Sequence, residues 1–140
     1  MAWGLTPFIS YFISETKQNK KIILKENERD ILLDVAKRTW SYFDDYMDEE
    51  RNYLPPDNYQ LGRKEKVVNT TSSTNIGLGL LAVISAYDLG FISLKDAIYK
   101  LKKSIDTISN LDKWHGHLYN WYDIKKAIPL NPMFVSTVDS

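Results

Sequence analysis

Three stretches of this 140-residue chain concentrate side chains able to grip a polyhydroxylated ligand. They are Leu54-Pro55-Pro56-Asp57-Asn58-Tyr59-Gln60, then Asn69-Thr70-Thr71-Ser72-Ser73-Thr74-Asn75, and then Trp114-His115-Gly116-His117-Leu118-Tyr119-Asn120-Trp121-Tyr122-Asp123. Val135-Ser136-Thr137-Val138-Asp139-Ser140 follows near the end. Carboxylates and side-chain amides pair with adjacent hydroxyls, and aromatic rings offer flat apolar faces to the C–H groups of a sugar. The candidate binding residues are Asp57, Asn58, Tyr59, Asn75, His117, Asn120, Trp121, Asp123 and Asp139. Each cluster also has a structural reading. Pro55-Pro56-Asp57-Asn58 suits a turn series, the Ser/Thr run suits a helix cap, and Trp121 and Tyr122 suit a core. Asn75 could serve as cap or ligand contact. His115 and His117 have no third ligand to complete a metal site, so none is assigned.

The elements that must position these clusters are helical. From Glu26, Leu32, Val35, Ala36, Thr39, Trp40, Phe43 and Met47 recur at three- and four-residue spacing, predicting an amphipathic helix of about 20 residues. Residues 75–89 are apolar nearly all round and contain Gly77, Gly79, Ala82 and Ala86, the composition of a helix buried on most sides. Gly90 suits a left-handed C-terminal cap, and Ser93 with Asp96 starts a further helix with Ala97, Ile98, Leu101, Ile105, Ile108 and Leu111 inward. Residues 118–130 read as a small β-hairpin. Ser136 has N-cap chemistry with no helix after it, so another inner helix is expected to follow. Alternating exposed and buried helices imply an all-α fold of α/α hairpins, part of a double-layered toroid. No repeat of fixed period favours a solenoid. If the inner helices start at one end, the three clusters converge there. Without its partners, the inner helix over 75–89 would expose an apolar patch prone to self-association.

Composition narrows the function classes. Eighteen Lys and Arg balance eighteen Asp and Glu, leaving no basic field for nucleic acid. The absence of cysteine removes thiol nucleophiles and thiolate metal sites. The apolar run over 2–13 is too short to span a bilayer, which takes about 20 residues, and it lacks the flanks of a signal peptide. It reads as a short core helix, the end of a transmembrane helix or an interfacial segment. The polar 16–21 stretch reads as a linker or membrane flank. Residues 1–21 are thus a membrane-proximal segment or linker, and 22–140 the folded part.

Six segments carry a family resemblance: residues 3–14, Ala36-Lys37-Arg38-Thr39-Trp40-Ser41-Tyr42-Phe43, and the words at 54–60, 71–78, 116–123 and 135–140. In this order they resemble the region that follows the transmembrane helices of cyclic β-1,2-glucan synthases, at the start of the middle, cyclising domain. Ser73 stands where the family pattern has Pro, and Leu118 where it has Phe. The resemblance implies a large inner-membrane enzyme, with this domain on the cytoplasmic side and the β-1,2-glucan chain and the remaining domains as partners. It also implies a glycosyltransferase part using UDP-glucose and a middle (α/α)6 domain that cyclises glucan by transglycosylation. No cofactor is implied for this segment. The catalytic carboxylate pair would lie beyond Ser140, leaving Asp57, Asp123 and Asp139 to contact or support the glucan and the isolated chain inactive. The alternative from another class is a non-catalytic helical adaptor or carbohydrate-binding module.

Overall fold

The computed structural model describes residues 5–14 and 23–137. Trp3, the 16–21 stretch and the candidate Asp139 lie outside the described residues. The chain divides between Ile31 and Leu32 into two compact units. Helix α1, Thr6–Ser14, belongs to the first. No helix of the described residues is long and apolar enough to cross a membrane.

Helix α2 spans Glu26–Tyr46, with Glu26 and Glu28 in its first turn, where carboxylates favour the positive end of the helix dipole. Its second half buries Trp40, over whose ring the Lys100 ammonium lies 5.8 Å from the centroid. Lys100 also pairs with Asp44 at 3.0 Å. Helix α3, Ser73–Asp88, is capped by Ser72, whose side chain accepts from the Asn75 N–H at 3.2 Å. It ends at Gly90, whose φ of +75° gives the expected left-handed turn. Helix α4, Leu94–Asn110, starts where Ser93 accepts the Asp96 N–H at 3.1 Å. The Ser93 hydroxyl then donates to the Asp96 carboxylate at 2.6 Å, a reciprocal cap built from side chains.

The fold is mainly helical, but the all-α expectation needs correcting. Among the described residues, seven two-residue strands form three small antiparallel sheets: β1 (Asn58–Tyr59) with β2 (Val67–Val68), β4 (Lys113–Trp114) with β5 (His117–Leu118), and β3 (Thr70–Thr71), β6 (Tyr122–Asp123) and β7 (Ile128–Pro129) in the order β3-β6-β7. The β6-β7 hairpin is the one expected within 118–130. Two apolar clusters hold these elements together. Trp40, Met47, Val83, Ala86 and Ala97 pack the helices, while Leu54, Ile76, Leu111, Tyr122 and Ile124 pack the strands beneath the N-terminal end of α3.

Two helix faces differ from expectation. On α4, Ile98 and Ile105 are 57% and 51% exposed, whereas Ser104 is buried. The helix turns its hydroxyls inward because Ser104 Oγ donates to the Tyr53 carbonyl at 2.7 Å and Thr107 Oγ1 to the Asn52 carbonyl at 2.8 Å. Asn52 and Tyr53 both adopt the left-handed region, with φ of 53° and 57°, so the bend needs such anchors. On α3, one face buries Ile76, Gly79, Val83 and Ala86, while Leu78, Leu81 and Ile84 stay exposed.

The glycines of α3 separate sharply. A Cβ on Gly79 would lie 2.9 Å from Pro55 Cγ and 3.2 Å from the Met47 thioether, whereas one on Gly77 meets nothing within 4 Å. Gly79→Ala is expected to lower unfolding free energy by about 1–3 kcal/mol through overpacking, and Gly77→Ala to raise it by up to about 1 kcal/mol through helix propensity, both measured by urea unfolding. The exposed stripe of α3 should make the chain self-associate in sedimentation velocity, and Leu81→Lys with Ile84→Lys should shift it toward monomer.

Candidate functional site

The first two sequence clusters meet at the N-terminal end of α3. Because Ser72 takes the cap, the Asn75 side chain is free to turn outward, and its Nδ2 donates to Asp57 Oδ1 at 2.9 Å. Asn58 Nδ2 donates to the other oxygen, Oδ2, at 2.5 Å. Asp57 thus holds one amide on each oxygen and sits half-buried. Asn58 pairs with Val68 across β1-β2, and Tyr59 follows with its side chain 40% exposed. Pro55 rests against Gly79, one helical turn from Asn75, so residues 55–57 run along the start of α3.

Sequence reasoning missed the support from α2. Tyr42 Oη donates to the Pro56 carbonyl at 2.9 Å. Its ring meets Phe43 and Tyr46 edge-on with centroids 5.4 Å away in each case, and Tyr46 lies 6.0 Å from the Tyr59 ring. Arg51, 11% exposed, stands over Tyr46 at 5.5 Å, pairs with Asp48 at 2.6 Å and donates to Asn69 Oδ1 at 3.1 Å. The signal was four aromatics in seven residues, Trp40, Tyr42, Phe43 and Tyr46. That is more than one core-facing stripe accommodates.

The third cluster joins through the backbone. Thr70 pairs with Asp123 and Thr71 with Tyr122, so the register leads Trp121 toward Ser72 and the start of α3. Tyr122 is core: fully buried, it donates to the Asp112 carbonyl at 2.7 Å and accepts the Tyr119 N–H at 2.8 Å. Trp121 is half-buried, and its carbonyl accepts from Leu130 N at 2.9 Å. Asn120 bonds through its backbone N–H to the Phe134 carbonyl at 2.9 Å. His117 is exposed on β5, opposite Trp114. Trp114, Tyr119, Met133, Phe134 and Val135 line a shallow hollow beside it. Asp123 has a local task as well: its Oδ1 accepts the N–H groups of Lys125 and Lys126 at 2.9 and 3.0 Å, closing the β6-β7 turn. Asn58 Oδ1, Thr71 Oγ1 and Ser73 Oγ are buried without a partner. No group of three or more His, Asp or Glu among the described residues could hold a metal.

Over its whole length the chain is 36% identical to the cyclic β-(1,2)-glucan synthase NdvB of Rhizobium meliloti (strain 1021). By sequence the chain is similar to one segment of a cyclic β-(1,2)-glucan synthase. The chain spans 5% of that synthase's length. No family model matches it. Solved structures share the fold of this synthase-related segment. A glucoamylase-like protein of Bacteroides fragilis NCTC 9343 superposes with a TM-score of 0.64 at 20% identity, over 89% of this chain and 29% of its own. An endo-β-1,2-glucanase of Chitinophaga pinensis, solved with sophorotriose and glucose, gives 0.60 at 22% identity, over 70% and 24%.

Electrostatics make the Tyr42 hydroxyl a persistent donor. Burial, then the Asp57 carboxylate and Tyr46, push its pKa from 10.0 up to about 12. Burial also pushes Tyr122 up, and Tyr53 rises to about 12, first through its hydrogen bond with Tyr99. A group whose folded pKa is raised contributes stability that is complete below its unfolded value and fades as pH climbs through the folded one. Thermal midpoints should therefore fall between pH 10 and 12, and Tyr42→Phe should flatten that fall. An unchanged slope in the variant would remove Tyr42 from the account.

Proposed function

We propose that this chain forms part of an (α/α)6 domain that processes β-1,2-glucan, with α3 as an inner helix and the loops at its N-terminal end facing the glucan. The full-length match to a cyclic β-(1,2)-glucan synthase carries the reading. It is supported by the way Asp57 and Asn58, from the 54–60 segment, and Asn75, from the first turn of α3, form one hydrogen-bonded group. In this reading Asp57, Asn58, Asn75, His117, Asn120, Asp123 and Asp139 contact or support sugar hydroxyls, and Tyr59 and Trp121 pack on sugar faces. The domain cyclises glucan by transglycosylation. The reaction needs a nucleophile and an acid/base carboxylate about 5 Å apart, which residues beyond Ser140 supply. The donor for the polymerising part of the enzyme is UDP-glucose, the partners are the glucan chain and the other domains, and the site of action is the cytoplasmic side of the inner membrane.

The test uses the full-length polypeptide that carries this segment, assayed for cyclic product against added linear β-1,2-glucan. Asp57→Asn, Asn75→Ala and Trp121→Ala should each raise the half-saturating glucan concentration about ten-fold, equivalent to ~1.4 kcal/mol of lost binding, with the protein still folded. Normal rates and normal glucan affinity in all three would overturn the sugar-facing assignment and favour an adaptor.

A further inference from the structure

We infer that Tyr42 is a positioning residue for the glucan site, setting where Asp57 stands through the Pro56 carbonyl; the inference rests on the glucan reading of Asp57. The segment Pro55-Pro56-Asp57 meets a different neighbour at each residue. Pro55 lies against Gly79, where even a Cβ would come within 2.9 Å of its ring. Asp57 takes the Asn75 amide at 2.9 Å, and Gly79 and Asn75 are four residues apart on one face of α3. One helical turn rises about 5.4 Å, close to the reach of two extended residues at about 3.3 Å each. Residues 55–57 therefore lie lengthwise on that face.

Contacts with α3 fix the ends of this segment, and the Asp57 N–H donates to the Val68 carbonyl at 3.3 Å, which leaves the Pro56 carbonyl as the other face of that peptide. Pro56 has no N–H to anchor it, so its carbonyl is its one strong backbone handle, and Tyr42 Oη takes that handle at 2.9 Å from a different helix. The Tyr42 ring is held in turn by Phe43 and Tyr46, each 5.4 Å away. The phenol therefore acts as a strut from α2 to the peptide that immediately precedes Asp57. The hydroxyl stays protonated across the working pH range, because burial and the adjacent carboxylate hold its pKa near 12. The Tyr42 hydroxyl spends its proton on the Pro56 carbonyl, and in this inference its effect passes through Asp57.

Tyr42→Phe removes the strut and keeps the ring. In the full-length enzyme it should raise the half-saturating concentration of linear β-1,2-glucan three- to ten-fold while kcat stays within two-fold. A loss of folded protein would instead lower apparent kcat and leave the half-saturating concentration alone. The decisive comparison is the double variant. If Tyr42 acts through Asp57, Tyr42→Phe with Asp57→Asn should bind glucan no worse than Asp57→Asn alone. Fully multiplicative defects, or a Tyr42→Phe enzyme with normal glucan affinity beside an impaired Asp57→Asn, would overturn the inference and spare the glucan reading. An Asp57→Asn enzyme with unaltered glucan affinity would overturn the glucan role of Asp57 itself.

Discussion

The close passage of Pro55 across Gly79 is the constraint on which the rest of the molecule depends. A glycine in mid-helix costs up to about 1 kcal/mol in propensity, and here it creates the notch into which Pro55 fits, with Met47 closing the other side. Leu54 on one flank is fully buried in the lower cluster, and Asp57 on the other reaches Asn75. The upper cluster of Met47, Trp40 and Val83 and the lower one of Leu54, Ile76 and Tyr122 are joined by this crossing. Any side chain at Gly79 would lift the loop, and with it both the packing below and the carboxylate at its end.

Polar bonds do a second job by holding the chain where packing alone would not. The left-handed pair Asn52-Tyr53 is a bend that most residues resist. It is stabilised from three directions: by the hydroxyls of Ser104 and Thr107, by the Asn52 amide bonding the carbonyls of Ile124 and Lys125, and by the capped turn at Asp48. Buried hydroxyls on α4 therefore set the direction in which the chain enters the Pro55 notch. Satisfied buried hydrogen bonds each contribute about 1 kcal/mol, but their larger effect here is to leave the bend a single conformation.

What was legible in the sequence follows from the range of the interactions involved. The limits of α2, the Gly90 stop and the Ser93 start are local matters of periodicity and capping, and they could be read directly. The β6-β7 hairpin was visible in its aromatic, β-prone flanks. The other strands are two residues long, too short for a period of two to register, so the sheets that tie the loops together were hidden. The inward face of α4 was misread because Ser104 and Thr107 are polar and their partners lie more than fifty residues earlier. Of the candidate residues, the meeting of Asp57 with Asn75 followed from the expectation that loops converge where inner helices begin. The local duty of Asp123, which closes a turn, cannot be told from a ligand-facing role by residue type.

The bonding of Asp57 also bears on the kind of chemistry it can perform. An ionised carboxylate has about four acceptor positions, and Asn75 and Asn58 occupy one on each oxygen. Both neighbours present N–H groups, so the site is arranged for a carboxylate that accepts hydrogen bonds. A general acid must instead deliver its own proton to a leaving oxygen, and an Asp57 braced by two amide donors is poorly disposed to do so. Two acceptor positions remain, enough to bridge a pair of neighbouring hydroxyls, while the exposed Tyr59 ring nearby offers an apolar face. The arrangement therefore favours Asp57 as a group that orients a sugar over one that cleaves its bond. That division of labour fits the proposed glucan-facing role of a loop whose carboxylate is held by Asn75 on α3 and by the adjacent Asn58.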